Sequence, residues 1–168
     1  MHYKSIQKLV FAAMLGALTF CATFISVPTG IGNVNLGDGI LLLGAWTLGG
    51  AWSVIACALG ATLTDLVSGY AIYAPATLVI KALMGIVAIA LGKLIAQRKP
   101  LVRHLISGLA AECVMIAGYF VYEAWILGFG SAALVSIPFN AVQGAVALVV
   151  SVLAHKLLEK ARLIDLFR

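Results

Sequence analysis

Long apolar runs, broken by short clusters of glycine, proline, asparagine and charge, organise this chain from end to end. The first run extends from about Ile6 to Val27 and stops at Pro28, where the stretch Pro28-Thr-Gly-Ile-Gly-Asn-Val-Asn-Leu-Gly37 is dense in helix breakers. The second starts near Asp38 and ends around Gly49-Gly50, short enough to be tilted or to fall short of the full bilayer. The third covers about Ala51 to Gly69, followed by an aromatic turn over Tyr70–Pro75. The fourth runs from about Ala76 to Ala96 and closes at Gln97-Arg-Lys-Pro100. The fifth covers about Val102 to Trp125, Gly128 and Gly130 mark a turn, and the sixth runs from about Ala132 to Leu158 before a basic tail. A helix needs about 20 apolar residues to cross hydrocarbon. Unbroken runs, rather than alternations of about ten residues, satisfy the backbone within each segment and exclude a barrel. The pattern therefore predicts an all-α integral membrane protein with six transmembrane helices, residues 1–168 forming one domain without linker or repeat.

Composition strengthens this reading. The 168 residues are 63% hydrophobic and 10% charged, against roughly 25% charged in soluble domains. A water-soluble fold of this size could not hide so much apolar surface. The net charge of +5 does not point to nucleic acid, because of where the basic residues stand. Lys4, Lys8, Lys93, Arg98, Lys99, Arg103, Lys156, Lys160, Arg162 and Arg168 lie at the ends of runs or between them. This is topology-setting charge, and it puts both termini and the 98–103 connection in the cytoplasm. The connections at 28–37, 70–75 and 126–131 carry no Lys or Arg and should face outward. The first run lacks the small-residue cleavage site of a signal peptide. Cys21, Cys57 and Cys113 lack metal-site spacing and read as small buried apolar residues.

Ionisable groups inside a membrane cost ~2.5–3.5 kcal/mol each on insertion scales, and those that persist usually face a cavity or a partner. Here they are Asp38, Asp65, Lys81, Glu112 and Glu123. Asp38, Asp65 and Glu123 fall near outer helix ends, Lys81 about two turns inside the fourth run, and Glu112 near the middle of the fifth. Glu112, Ile116, Tyr119 and Glu123 share one helix face, as do Thr77 with Lys81 and Asn140 with Gln143. Together with Asn33 and Asn35 in the first outer loop and Tyr70 and Tyr73 in the second, these groups converge on the outer half of the bundle. A concave apolar site with a few placed polar groups is what a small-molecule pocket requires.

Each residue also has a purely structural reading. Asp38 can cap the second helix, and Asp65 and Glu123 can be solvated at the interface. Lys81 and Glu112 can neutralise each other, Tyr122 and Trp125 suit an aromatic belt, and Asn140 and Gln143 can join helices. Signals for catalysis are poor. No Gly-x-x-x-x-Gly-Lys-Ser/Thr phosphate loop is present, since Gly92-Lys93 lacks the required upstream glycine. His2, His104 and His155 are far apart in sequence and form no evident triad or metal set. No cofactor or metal is expected. On the first helix, Ala12/Gly16 and Ala13/Ala17 are small-xxx-small pairs that permit close helix approach.

Three stretches carry a resemblance: Ala13-Met-Leu-Gly-Ala17 after Lys8-Leu-Val, Asn35-Leu-Gly-Asp38 after the breaker-rich loop, and Tyr73-Ala-Pro-Ala-Thr-Leu-Val-Ile-Lys81-Ala-Leu-Met-Gly85. Glu112 to Tyr119 and Pro138-Phe-Asn-Ala-Val-Gln-Gly144 add to it. Along essentially its full length the chain resembles the substrate-binding S components of energy-coupling-factor (ECF) transporters. The resemblance implies a six-helix subunit of a bacterial or archaeal plasma membrane that binds a water-soluble vitamin or precursor from outside. It implies work with a transmembrane coupling protein and two cytoplasmic ATPases, with Ala13 and Ala17 as the docking face. Candidate ligand contacts are Asn33, Asn35, Asp65, Tyr73, Lys81, Glu112, Tyr119, Glu123, Asn140 and Gln143. A pyridoxine- or hydroxymethylpyrimidine-like ligand comes first, then riboflavin. An intramembrane lipid-modifying enzyme using Glu112 and Lys81, or a purely structural membrane subunit, is the alternative.

Overall fold

The computed structural model describes residues 2–28 and 33–164. It contains α1 (His2–Phe24), β1 (Ser26–Pro28), β2 (Asn33–Asn35), α2 (Gly37–Thr47), α3 (Gly50–Val67), α4 (Ala74–Leu94), α5 (Pro100–Val121) and α6 (Ser136–Lys160). A π-helical turn, Tyr122–Ile126, continues α5, and a 3₁₀ turn, Gly130–Val135, precedes α6. Five segments are long and apolar enough to cross a membrane: Ile6–Phe24, Gly50–Val67, Ala74–Leu94, Pro100–Ile126 and Gly130–Lys160. The eleven residues of α2 rise only about 16 Å, roughly half the hydrocarbon thickness.

Local chemistry explains the boundaries. Pro75 and Pro100 occupy the first turns of α4 and α5, where a missing N–H costs nothing and the fixed φ suits a helix. Gly49 (φ 59°) and Gly50 (φ 76°) make the sharp break between α2 and α3 in left-handed backbone that favours glycine. The first run does not continue as helix to Val27. Ser26–Pro28 instead pairs antiparallel with Asn33–Asn35, with Val27 opposite Val34. Two three-residue strands are too short to show a period in sequence, which is why the hairpin was not foreseen.

The short second helix lies inside the bundle. It packs against α1, α3, α4 and α6 at once, while α1 packs on α3, α3 on α4, α4 on α5 and α5 on α6. Gly37, Asp38, Gly39, Leu41, Leu42, Gly44 and Ala45 of α2 are all buried. Leu15, Leu41, Leu42, Cys57, Ile80, Met84, Ala111 and Met115 form the core around it. The exterior is apolar, with Trp52, Leu59, Leu63, Val79, Leu109 and Val149 exposed, as expected where lipid replaces water. Helices α1 and α3 touch backbone to backbone: a Cβ on Gly60 would lie 2.3 Å from the carbonyl oxygen of Gly16. The cysteines divide, with Cys57 buried but Cys21 and Cys113 exposed on the outer faces of their helices, contrary to the uniform burial expected.

Candidate functional site

A small cleft with about 50 Å³ of enclosed space, part of it open to water, lies among the helix ends on the side of the β1–β2 hairpin. It is lined by Asn35, Asp65, Tyr70, Tyr73, Thr77, Tyr119, Glu123, Asn140 and Gln143. Seven of the ten residues proposed from sequence therefore meet around one opening: Asn35, Asp65, Tyr73, Tyr119, Glu123, Asn140 and Gln143. Asn33 belongs to β2, and its side chain lies outside the described residues. Lys81 and Glu112 do not line the cleft.

Tyrosine rings form one wall. Tyr73 stands with ring centroids 6.4 Å from Tyr70, 6.4 Å from Tyr119 and 5.9 Å from Tyr122. The Tyr119 and Thr77 hydroxyls share a hydrogen bond of 3.0 Å. The Tyr73 hydroxyl donates to Glu123 Oε1 at 3.4 Å. Burial first, and then the neighbouring Glu123 carboxylate, push the Tyr73 phenol above its ordinary pKa, so it keeps its proton at neutral pH. Tyr122 is tied to the preceding turn through a hydrogen bond from its hydroxyl to the Ile72 carbonyl. Trp125 nearby is 74% exposed, which suits an aromatic belt.

Carboxylates supply the opposite character. Glu123 is 2% exposed, so it is not a solvated interfacial group. Its Oε2 and Asp65 Oδ2 are buried without a hydrogen-bond partner. Lysine, arginine and histidine are all missing from the lining. Among the described residues the cleft thus presents one oxygen of each carboxylate, Asp65 Oδ2 and Glu123 Oε2, without a donor.

The floor is a chain of polar contacts joining four elements. Lys81 Nζ on α4 reaches Asp38 Oδ1 on α2 at 2.5 Å, with both side chains nearly fully buried. Gln143 Nε2 on α6 donates to Asp38 Oδ2 at 2.6 Å. The backbone N–H of Asn35 donates to Gln143 Oε1 at 2.9 Å, which fastens the hairpin to α6. Asn35 Oδ1 in turn accepts from the Gly37 N–H at 2.9 Å. Gly37 is held by packing: a Cβ there would lie 2.0 Å from Thr23 Oγ1.

This network corrects two expectations. Asp38 makes no cap hydrogen bond at the start of α2; it neutralises Lys81 instead. Lys81 therefore does not pair with Glu112, whose two carboxyl oxygens are buried without a hydrogen-bond partner. Asp38 is the residue that the sequence reading left out. Its signal was the lysine buried two turns into α4, which requires an opposite charge close by. Two of the histidines distant in sequence also meet: His104 and His155 have ring centroids 4.2 Å apart. No group of three metal-binding side chains occurs among the described residues.

The small-residue faces of α1 also separate. Ala12 is buried and Gly16 packs on Ala56 of α3, whereas Ala13 and Ala17 are exposed. No curated protein sequence matches the chain. The family model described as "ECF-type riboflavin transporter, S component" matches residues 3–160. With nearly the whole length matched, and a multi-pass helical bundle beneath the match, this chain belongs to the S-component family, the vitamin-binding subunits of ECF transporters.

Proposed function

We propose that the cleft captures a flat heterocyclic vitamin that carries hydrogen-bond donors and no acidic group. The observation behind this is the pair of buried, unpartnered oxygens, Asp65 Oδ2 and Glu123 Oε2, beside the Tyr70, Tyr73 and Tyr119 rings. A buried acceptor left unmatched costs about 1–3 kcal/mol, so a ligand offering donors recovers energy that an acidic one cannot. A phosphate or carboxylate would meet two carboxylates and no cation. The cleft is small, with only about 50 Å³ of enclosed space. Small size and polarity favour a single ring with hydroxymethyl arms, such as pyridoxine or hydroxymethylpyrimidine. The description of the matching family favours a second reading, riboflavin, which meets the same polarity rule with a larger ring system.

Calorimetry of the purified chain with pyridoxine, hydroxymethylpyrimidine, riboflavin and pyridoxal phosphate tests this. One of the three uncharged compounds should bind, and the phosphorylated one should bind at least about 100-fold more weakly, a penalty of about 2.7 kcal/mol. Equal or tighter binding of the phosphorylated compound defeats the proposal. Mass spectrometry of small molecules carried through purification identifies the ligand directly.

Family membership also supports the remaining parts of the proposal. The cleft faces outward, the termini lie in the cytoplasm of a bacterial or archaeal cell, and uptake needs a transmembrane coupling protein with two ATPases. Exposed Ala13 and Ala17 on α1 offer that coupling protein a flat strip for close helix contact. Asn33 joins the ligand contacts, and the hairpin region closes over the bound vitamin. The alternative of a lipid-modifying enzyme loses its proposed pair, because Lys81 is committed to Asp38.

A further inference from the structure

The opposite end of the bundle holds a second polar site, for which capture of a vitamin in the outer cleft has no use. Two adjoining cavities, of about 240 and 220 Å³, share Trp46, Thr47 and Arg103 as a common wall. Basic side chains line both, with Arg103, Arg162 and His155 in the first and Lys93, Arg103 and His104 in the second. Glu159 is the one acid among them. Among the described residues the single ion pair is Lys81–Asp38, and Lys93, Arg103 and Arg162 form none.

Three further observations show a site that is built. His104 is 4% exposed, yet its Nε2 has no hydrogen-bond partner. Its ring is held in place by stacking on Trp46 at 4.5 Å and by the His155 ring at 4.2 Å. Arg162 follows the last residue of α6 with φ 57°, a position where glycine or asparagine is usual. A bulky residue in that backbone region signals a constraint other than local stability.

We propose that this cavity binds a phosphate group, and that its source is the headgroup of an anionic phospholipid. Arginine guanidinium groups match phosphate oxygens in paired hydrogen bonds. Basic pockets between membrane helices at the cytoplasmic face are suited to anionic headgroups. The cavity lies at the ends of α4, α5 and α6 that the basic residues mark as cytoplasmic, and exposed apolar residues such as Leu94, Leu101 and Leu105 flank it for acyl chains. This assignment rests on the proposed orientation and is independent of which vitamin the outer cleft takes.

Trp46 is a reporter inside the site. Trp52 and Trp125 are exposed, so changing both to phenylalanine leaves Trp46 as the only tryptophan. The full-length chain in detergent is titrated with short-chain phosphatidylglycerol, with phosphatidylcholine of equal chain length, and with inorganic phosphate. Phosphatidylglycerol should change Trp46 emission saturably and bind at least about tenfold more tightly than phosphatidylcholine. Arg103→Gln and, separately, Arg162→Gln should each weaken it about tenfold, the effect of one lost charge-assisted contact. Arg98→Gln, at an exposed position outside the cavity, should leave it unchanged. If inorganic phosphate saturates the signal with the same arginine dependence, the phosphate site stands and the lipid is rejected as its source. Equal responses to the two lipids with no response to phosphate, or equal losses in Arg98→Gln and Arg103→Gln, overturn the proposal. Vitamin affinity, measured on the same variants, should stay constant, so failure here is separable from failure at the outer cleft.

Discussion

Replacing Lys81 by methionine removes one half of the only ion pair among the described residues and leaves Asp38 charged in the middle of the bundle. The contact is 2.5 Å long, and the two side chains are 4% and 1% exposed. Burial keeps solvent from taking over the carboxylate, and Gln143 supplies only a neutral donor at 2.6 Å. Breaking a buried pair from one side costs about 3–5 kcal/mol, because the surviving charge is uncompensated. Asp38→Leu should cost a similar amount by stranding the lysine. The double variant, with both charges gone, should return to within about 1–2 kcal/mol of the parent, since buried pairs are often replaceable by apolar side chains. Denaturant titration in mixed micelles, followed by circular dichroism, gives the four free energies of the cycle. A coupling below about 1 kcal/mol, with additive single losses, would refute the reasoning.

Other outcomes follow from the same contacts. Asn140 lines the cleft, so Asn140→Ala should weaken vitamin binding by about 1–3 kcal/mol in calorimetry while leaving unfolding unchanged; unaltered affinity removes it from the site. Ala13→Trp or Ala17→Trp should abolish uptake by the complete transporter but preserve ligand affinity in the purified chain, because both positions are exposed; loss of binding would make them packing residues. Gly60→Val should fail to fold or lose more than about 3 kcal/mol, since even a Cβ there meets a backbone oxygen at 2.3 Å; normal yield and stability would contradict the α1–α3 contact. Amide exchange at Asn35 should slow when ligand saturates the cleft, because Asn35 lines it and a closed hairpin would shield its N–H further; identical rates would count against closure of the hairpin.

Much of this architecture was legible because lipid makes sequence patterns blunt. Apolar runs of spanning length located α1, α3, α4, α5 and α6 within a few residues. Helical spacing put Tyr119 and Glu123 on one face and Asn140 and Gln143 on another, and all four line the cleft. What sequence concealed was partner choice. Glu112 was the partner that the sequence offered for Lys81, and Asp38 read as a helix cap; only the central placement of α2 delivers Asp38 to the lysine. Likewise His104 and His155 are separated by a whole hairpin of helices, and their contact is a product of α5 packing against α6. The hairpin at Ser26–Pro28 escaped notice because strands of three residues leave no period to read.

The shortness of α2 has a mechanical meaning. Its first turn carries Asp38, the anchor of the outer floor, and its last turn carries Trp46 and Thr47, which wall the basic cavities. About 16 Å of rigid helix therefore separates the two polar ends, and the same rod contacts α1, α3, α4 and α6. A rod enclosed on several sides cannot bend to absorb a displacement; it can only slide or rotate as a unit. Asp38 and Trp46 therefore belong to one rigid piece, and the contact each makes at its own end fixes the register of the other.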